Sequence, residues 1–394
     1  MTEPSMVVGV VGAGAMGGGI AHVAAAAGHQ VLIGDVRPEA VGRARASIAK
    51  AVARDVEKAR LTQPAADALL GRITDVGDLS AGYGAYAGCG LVIEAVLEDL
   101  TVKRTLFAAL ERVLRDDAIL ATNTSSLSVA AIAGGCTHPE RVVGIHFFNP
   151  APVMPLVEIV PAITTSEDVT GAAQSLVDGW KKTTVVASDT PGFIVNRVAR
   201  PFYSESLRQL EEGIADVATI DWAMREMGGF RMGPFELMDL IGNDVNFAVT
   251  TSVFEAFFYD SRYRPALTQR RLVEAGHFGR KSGRGYYDYR DGATRPAPVP
   301  DRVLGQAIVD RTLAMLVNSA VDAVQARVAS PRDIETAMLK GVNYPKGLLA
   351  WGDEIGATEI LRCLTALQAE TGEERYRPAA LLRRKAAAGE TLLA

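Results

Sequence analysis

Along the first half of the chain, short unbroken apolar runs of strand length alternate with longer segments whose apolar residues recur at helical spacing. Met6 to Val11, M-V-V-G-V-V, is one such run and predicts a strand buried on both faces. Gln30 to Ile33 (a strand ending at Asp35), Leu91 to Val96, Ala118 to Thr122, Val142 to Phe148, Leu156 to Val160 and Thr183 to Ala187 predict further strands. Between them lie an Ala-rich helix over Ile20 to Ala27 and a helical stretch from Pro38 to about Leu70 with Ala, Val and Leu on one face. Strands alternating with helices predict a doubly wound, mainly parallel sheet. At Asp189-Thr190-Pro191-Gly192-Phe193 the pattern changes: Pro and Gly punctuate the start of a long helix from Ile194, and the rest of the chain reads as helical.

That helical remainder repeats itself. A shift of 114 residues pairs Ile194-Val195-x-Arg197 with Ile308-Val309-x-Arg311, and Ile220, Ala223 and Met224 with Ile334, Ala337 and Met338. The same shift pairs Gly233, Asp239, Ile241 and Gly242 with Gly347, Asp353, Ile355 and Gly356. No gap is needed between Ile194 and Gly242, which predicts duplicated helical domains joined by the Pro-rich linker Arg295 to Pro300. The predicted divisions are 1–188, 189–294 and 301–394. Asn196 of the first copy becomes Asp310 in the second, so only the first keeps the amide.

Composition narrows the class without choosing a function. A chain of 394 residues, 48% apolar and 22% charged, is long enough for several cores and is not of disordered type. A net charge of -5 gives no reason to expect nucleic acid or an anionic membrane as partner. Three cysteines, Cys89, Cys136 and Cys363, show no C-x-x-C spacing, so neither a disulfide framework nor a metal site is expected, and reduced thiols fit a cytoplasmic location. The opening M-T-E-P-S lacks the basic start of a signal peptide, and glycines break the apolar run that follows.

Candidate chemistry begins at Gly12-x-Gly14-x-x-Gly17, between the first strand and a helix. Gly12 permits a tight turn, Gly14 lets the backbone approach a pyrophosphate, and Gly17 lets helix and strand pack closely. Asp35, about twenty residues on, is placed to accept from a ribose 2′-hydroxyl and to repel a 2′-phosphate, favouring NAD over NADP; Arg37 pulls the other way. In a doubly wound sheet ligands bind beyond the carboxyl ends of the strands, which aims Glu98, Asn123 and Ser125 at the cofactor. Ser125 also reads as a helix N-cap. The stretch His146 to Glu158, H-F-F-N-P-A-P-V-M-P-L-V-E, sets a strand, a Pro-broken turn and a second strand so that imidazole and carboxylate return to one another. That is the make-up of a general base and its orienting partner, although a His beside Phe147 and Phe148 also suits a satisfied core residue. The basic residues Arg43, Arg45, Lys50, Arg54, Lys58 and Arg60 read either as a solvated helix face or as a grip on a phosphorylated carrier.

Taken together, the motifs resemble the 3-hydroxyacyl-CoA dehydrogenase family. They are G-A-G-A-M-G at Gly12 to Gly17, N-T-S-S-L at Asn123 to Leu127, H-F-F-N-P at His146 to Pro150, L-V-E-I-V at Leu156 to Val160, D-T-P-G-F-I-V-N-R at Asp189 to Arg197, M-G-P-F-E-L at Met232 to Leu237 and G-R-K-S-G-R-G-Y-Y at Gly279 to Tyr287. The resemblance implies an α/β Rossmann-type NAD-binding domain followed by two repeated all-α domains, as in the longer bacterial members linked to 3-hydroxybutyryl-CoA or 3-hydroxyadipyl-CoA. It implies His146 as the base that takes the substrate hydroxyl proton, Glu158 as the holder of its ring, and Ser125 and Asn196 as hydrogen-bond donors to the reacting oxygen. At the NAD site it implies Gly12, Gly14, Ala15, Met16, Gly17, Asp35, Glu98, Lys103, Asn123, Asn149 and Lys281, and it places Lys58 near a CoA-contacting position. Arg231 stands where shorter members tend to have Pro; it reads as a surface residue or as the partner of a distal carboxylate on a dicarboxylic acyl chain. A dehydrogenase of free sugar acids on the same fold, and a non-catalytic dinucleotide-binding scaffold, remain as alternatives. For assembly the expectation is a monomer whose two helical copies cover each other, or a homodimer through another surface.

Overall fold

The computed structural model describes residues 6–394; the opening Met1 to Ser5 segment, read above for targeting signals, lies outside the described residues. The chain divides into two compact units, residues 1–190 and 191–394.

The first unit is an eight-stranded sheet flanked by helices. Its strands are β1 (Val7–Val11), β2 (Gln30–Asp35), β3 (Ile73–Asp78), β4 (Leu91–Glu94), β5 (Ile119–Thr122), β6 (Val142–Phe147), β7 (Leu156–Pro161) and β8 (Thr183–Val186). They lie in the order β3-β2-β1-β4-β5-β6-β7-β8, parallel throughout except between β6 and β7. The chain winds outward from β1 in both directions, so the β1–β4 boundary is the switch point at which such sheets open a ligand crevice. Val8, Val10, Ile33, Leu91, Ile93 and Leu120 have no accessible surface, as the apolar runs require of strands covered on both faces. Strand β3 escapes the hydrophobic pattern because its sequence, I-T-D-V-G-D, is an edge strand buried only at Ile73.

Among the described residues the α-helices of this unit are α1 (Ala15–Ala26), α2 (Pro38–Glu57), α3 (Gln63–Gly71), α4 (Leu100–Glu111), α5 (Val129–Ala133) and α6 (Glu167–Gly179). The single helix expected from Pro38 to Leu70 is two. Ala59 takes a left-handed φ of 53°, and Thr62 caps α3 by accepting from the Ala65 N–H.

The second unit is all helical: α7 (Val195–Val198), α8 (Arg200–Glu211), α9 (Val217–Trp222), α10 (Pro234–Ile241), α11 (Asn243–Ala256), α12 (Leu267–Glu274), α13 (Arg302–Gln325), α14 (Pro331–Gly341), α15 (Leu348–Ile355), α16 (Ala357–Thr371) and α17 (Ala380–Ala388). The long helix expected from Ile194 is interrupted after Val198, where Pro201 enters the first turn of α8 without an N–H to continue the ladder.

Local devices recur at the 114-residue shift. Asp221 accepts from the Phe235 and Glu236 N–H groups at the start of α10, and Glu335 accepts from Leu349 and Ala350 at the start of α15. The matched acceptors Asp239 and Asp353 each take two backbone amides from a later segment, Tyr286 and Tyr287 in one case and Leu392 and Leu393 in the other, donors that are not themselves at that shift. Gly242 and Gly356 hold φ of 106° and 97° at matching helix junctions. The residues 191–294 and 301–394 exchange ion pairs: Arg197 and Arg262 meet Asp322, while Arg311 meets Glu205 and Glu212. Each segment thus pairs its arginines with carboxylates of the other.

Candidate active site

At the end of β1, three glycines do three different things. Gly12 has φ of 100°, and a Cβ there would lie 2.5 Å from the Ala95 carbonyl oxygen; a Cβ on Gly17 would lie 1.8 Å from that of Gly12. A Cβ on Gly14 would meet nothing within 4 Å, so this position faces open space. The first amide to bond within α1 is that of Gly18, to the Gly14 carbonyl, leaving the N–H groups of Ala15, Met16 and Gly17 for an external acceptor. No acidic side chain stands in that first turn to compete with a phosphate. Asp35, 6% exposed at the end of β2, accepts from the Ala13 N–H at 2.8 Å and the Arg37 N–H at 2.9 Å. The exposed Arg37 guanidinium approaches the same carboxylate at 3.7 Å. Open backbone, unpaired helix amides and a buried, oriented carboxylate together fit a dinucleotide.

Beyond β4 and β5 lies a knot of charge. Lys103, 1% exposed on α4, sits 2.6 Å from Glu94 and 3.2 Å from Glu98. One oxygen of Glu98 accepts from the Thr124 hydroxyl (2.5 Å), the Ser125 and Ser126 N–H groups (3.1 and 3.2 Å) and the Ser126 hydroxyl (2.9 Å). Burial pushes the Glu98 carboxyl up, but Lys103 and these donors outweigh it and hold it below the ordinary value. Ser125 is not an N-cap: Ser128 caps α5, accepting from the Ala131 N–H at 3.2 Å. Glu94 escapes sequence reading; a single acid closing the otherwise apolar run L-V-I-E is the signal that marks it.

The antiparallel pairing of β6 and β7 puts His146 directly opposite Glu158. Their side chains therefore share one face, and His146 Nδ1 lies 2.7 Å from Glu158 Oε2, with exposures of 5% and 0% for the two residues. An ionised carboxylate only accepts, so it fixes the proton on Nδ1 and gives Nε2 the basic lone pair. Phe148 stacks at a tilt on the imidazole, 4.5 Å between centroids. Asn123 holds the same strand end, its amide oxygen accepting from the Phe147 N–H at 2.8 Å. The exposed Asn149 begins the following loop, which Lys182 pins through the Ala151 and Met154 carbonyl oxygens at 2.6 and 2.8 Å. Lys58 is exposed just past the end of α2.

Three candidates belong to the second unit. Asn196 is half-buried in α7, Arg231 is exposed before α10, and Lys281 pairs with Asp244 at 2.6 Å.

The first unit matches the family model "3-hydroxyacyl-CoA dehydrogenase, NAD binding domain" over residues 7–190, and the second matches the corresponding C-terminal domain over residues 192–289 and again over 308–392. The chain belongs to the 3-hydroxyacyl-CoA dehydrogenase family. It is an NAD-dependent oxidoreductase that oxidises 3-hydroxyacyl-CoA. Among its relatives, the 3-hydroxyadipyl-CoA dehydrogenase of Escherichia coli K12 is 42% identical, with 96% of this chain and 97% of that protein aligned. The 3-hydroxybutyryl-CoA dehydrogenase of Bradyrhizobium diazoefficiens is also 42% identical, aligning 98% of itself but only 75% of this chain. The crystal structure of an E. coli 3-hydroxybutyryl-CoA dehydrogenase superposes with a TM-score of 0.92 at 40% identity, covering 98% of this chain and 99% of that one.

Proposed function

We propose that this dehydrogenase acts on (S)-3-hydroxyacyl-CoA thioesters through His146 as general base, and the observation that carries the reading is the 2.7 Å contact between His146 Nδ1 and Glu158 across β6 and β7. Nε2 takes the hydroxyl proton, and the Glu158 carboxylate stabilises the imidazolium that forms. Ser125 donates to the reacting oxygen as it passes from alkoxide-like to ketone. The same task for Asn196, and NAD contacts for Lys281 and Asn149, rest on the matching of their motifs. Gly12, Gly14, Ala15, Met16, Gly17 and Asp35 hold the dinucleotide, with Glu98, Lys103 and Asn123 supporting the loops beside it. Bound NAD supplies a hydride acceptor for the carbon that carries the hydroxyl. Lys58 is assigned to the CoA moiety.

The acyl group is short or dicarboxylic, of the 3-hydroxybutyryl or 3-hydroxyadipyl kind named for the relatives aligned over almost the whole chain. Arg231, exposed and without an ion pair among the described residues, is available to a distal carboxylate in a forked pair. Kinetics of wild type and Arg231→Ala on both thioesters test this: a loss confined to the adipyl substrate supports the role, and equal effects on the two substrates remove it. The three cysteines are unpaired, and no helix among the described residues is long and apolar enough to cross a membrane; a cytoplasmic enzyme is the reading these features support. For assembly, the arginine–carboxylate pairs between the two helical repeats support a monomer in which the repeats cover each other.

A further inference from the structure

Glu94 closes β4 with no accessible surface, paired in register with Val11 on β1 and Thr122 on β5. One of its oxygens accepts from the Thr122 hydroxyl at 2.8 Å; the other accepts from the Val96 N–H at 2.7 Å and lies 2.6 Å from Lys103 Nζ. Lys103 continues to Glu98, and Glu98 gathers the hydroxyls and amides of Thr124, Ser125 and Ser126. Three charges thus run from the middle of the sheet to the turn that carries Ser125.

Stability alone does not account for them. Withdrawing an ammonium and a carboxylate from water is costly, and apolar side chains of the same volume commonly serve a core as well or better. What an apolar replacement does not do is fix a carboxylate at one point beneath a turn and keep it ionised there. The Glu94–Lys103 link is short and charge-assisted, the Lys103–Glu98 ion pair is longer at 3.2 Å, and Glu94 is locked by a hydroxyl and a backbone amide at the sheet.

We infer that Glu94 is a positioning residue for Ser125: it fixes Lys103, Lys103 fixes Glu98, and Glu98 sets the turn that presents the Ser125 hydroxyl. The inference rests on the reading above, in which Ser125 donates to the reacting oxygen. It deepens that reading by giving the hydroxyl's placement a physical source more than one residue away.

A double-mutant cycle in the full-length enzyme tests it, with kcat/KM for a 3-hydroxyacyl-CoA measured in wild type, Glu94→Gln, Ser125→Ala and the double variant. Glu94→Gln alone is expected to lose on the order of 10- to 100-fold by misplacing the turn, a loss larger than any change in NADH affinity, which is followed by the fluorescence of the bound dinucleotide. In the Ser125→Ala background the same substitution is expected to cost little more, because the group it positions is gone. Equal losses in both backgrounds overturn the inference, as does wild-type turnover in Glu94→Gln or a loss of NADH affinity that accounts for its defect. Wild-type turnover in Ser125→Ala overturns the underlying reading of Ser125 itself and is recognisable as that separate failure. If Glu94→Gln melts below the assay temperature, Glu98→Gln, at the end of the chain whose side chain is 36% exposed, takes its place in the cycle and is judged by the same non-additivity.

Discussion

His146 and Glu158 stand 12 residues apart in sequence and 2.7 Å apart in space, and the register of one antiparallel strand pair accounts for the difference. That pairing was legible beforehand because only two apolar runs and a Pro-broken turn separate the two residues. The charge chain at Glu94 was not: Glu94, Glu98 and Lys103 are close in sequence, but their connection to the Ser125 turn comes from the pairing of β4 with β5, and strand order is invisible to local pattern. Ser125 shows the same limit from the other side. Spacing offered it as a helix cap, but the cap falls to Ser128, where the backbone enters α5. The depressed Glu98 carboxyl has a consequence for stability. A carboxyl that binds its proton less tightly folded than unfolded contributes stability above the ordinary glutamate range, and that contribution is lost as pH falls through the depressed folded value. Thermal unfolding across the acid range is expected to show the wild-type melting temperature falling more steeply below about pH 4 than that of Glu98→Gln; parallel curves would show that the carboxylate contributes nothing.

At the scale of elements, the glycine turn was legible because backbone chemistry at each glycine is local, whereas the helix expected from Ile20 already begins at Ala15. The structure separates positions that the motif treats alike. Gly17→Ala forces a methyl to 1.8 Å from the Gly12 carbonyl oxygen, whereas Gly14→Ala projects its methyl into open space. Gly17→Ala is therefore expected to lower the melting temperature and to lose activity with it. Gly14→Ala is expected to fold like wild type but to raise KM for NAD, since the added methyl occupies the approach of the pyrophosphate. Differential scanning fluorimetry and NAD titration separate the two outcomes, and a destabilised Gly14→Ala with unaltered KM would contradict the assignment. Elements with weak apolar signatures were harder to read. Strand β3 is an exposed edge, and the division of α2 from α3 turns on a left-handed Ala59 that no propensity favours.

At the scale of the molecule, the 114-residue repeat pointed to duplicated helical structure, and the ion pairs exchanged across it give that duplication a physical task. Arg311, 8% exposed, donates to Glu205, 1% exposed, and α13 packs along α8. A chain ending at Pro298 lacks α13 and leaves Glu205, Glu212 and the apolar side of α8 uncovered. Light scattering is expected to show the full-length enzyme as a monomer and the shortened chain as a dimer or aggregate; a soluble monomeric shortened chain would show that the second copy does not cover the first. The role of His146 as base is tested by NADH formation, followed by absorbance, from NAD and (S)-3-hydroxyacyl-CoA with wild type and His146→Ala side by side. The wild type is expected to turn over, and His146→Ala to lose on the order of 10²–10⁴ in kcat with retained NADH binding. Near wild-type turnover by His146→Ala would contradict it.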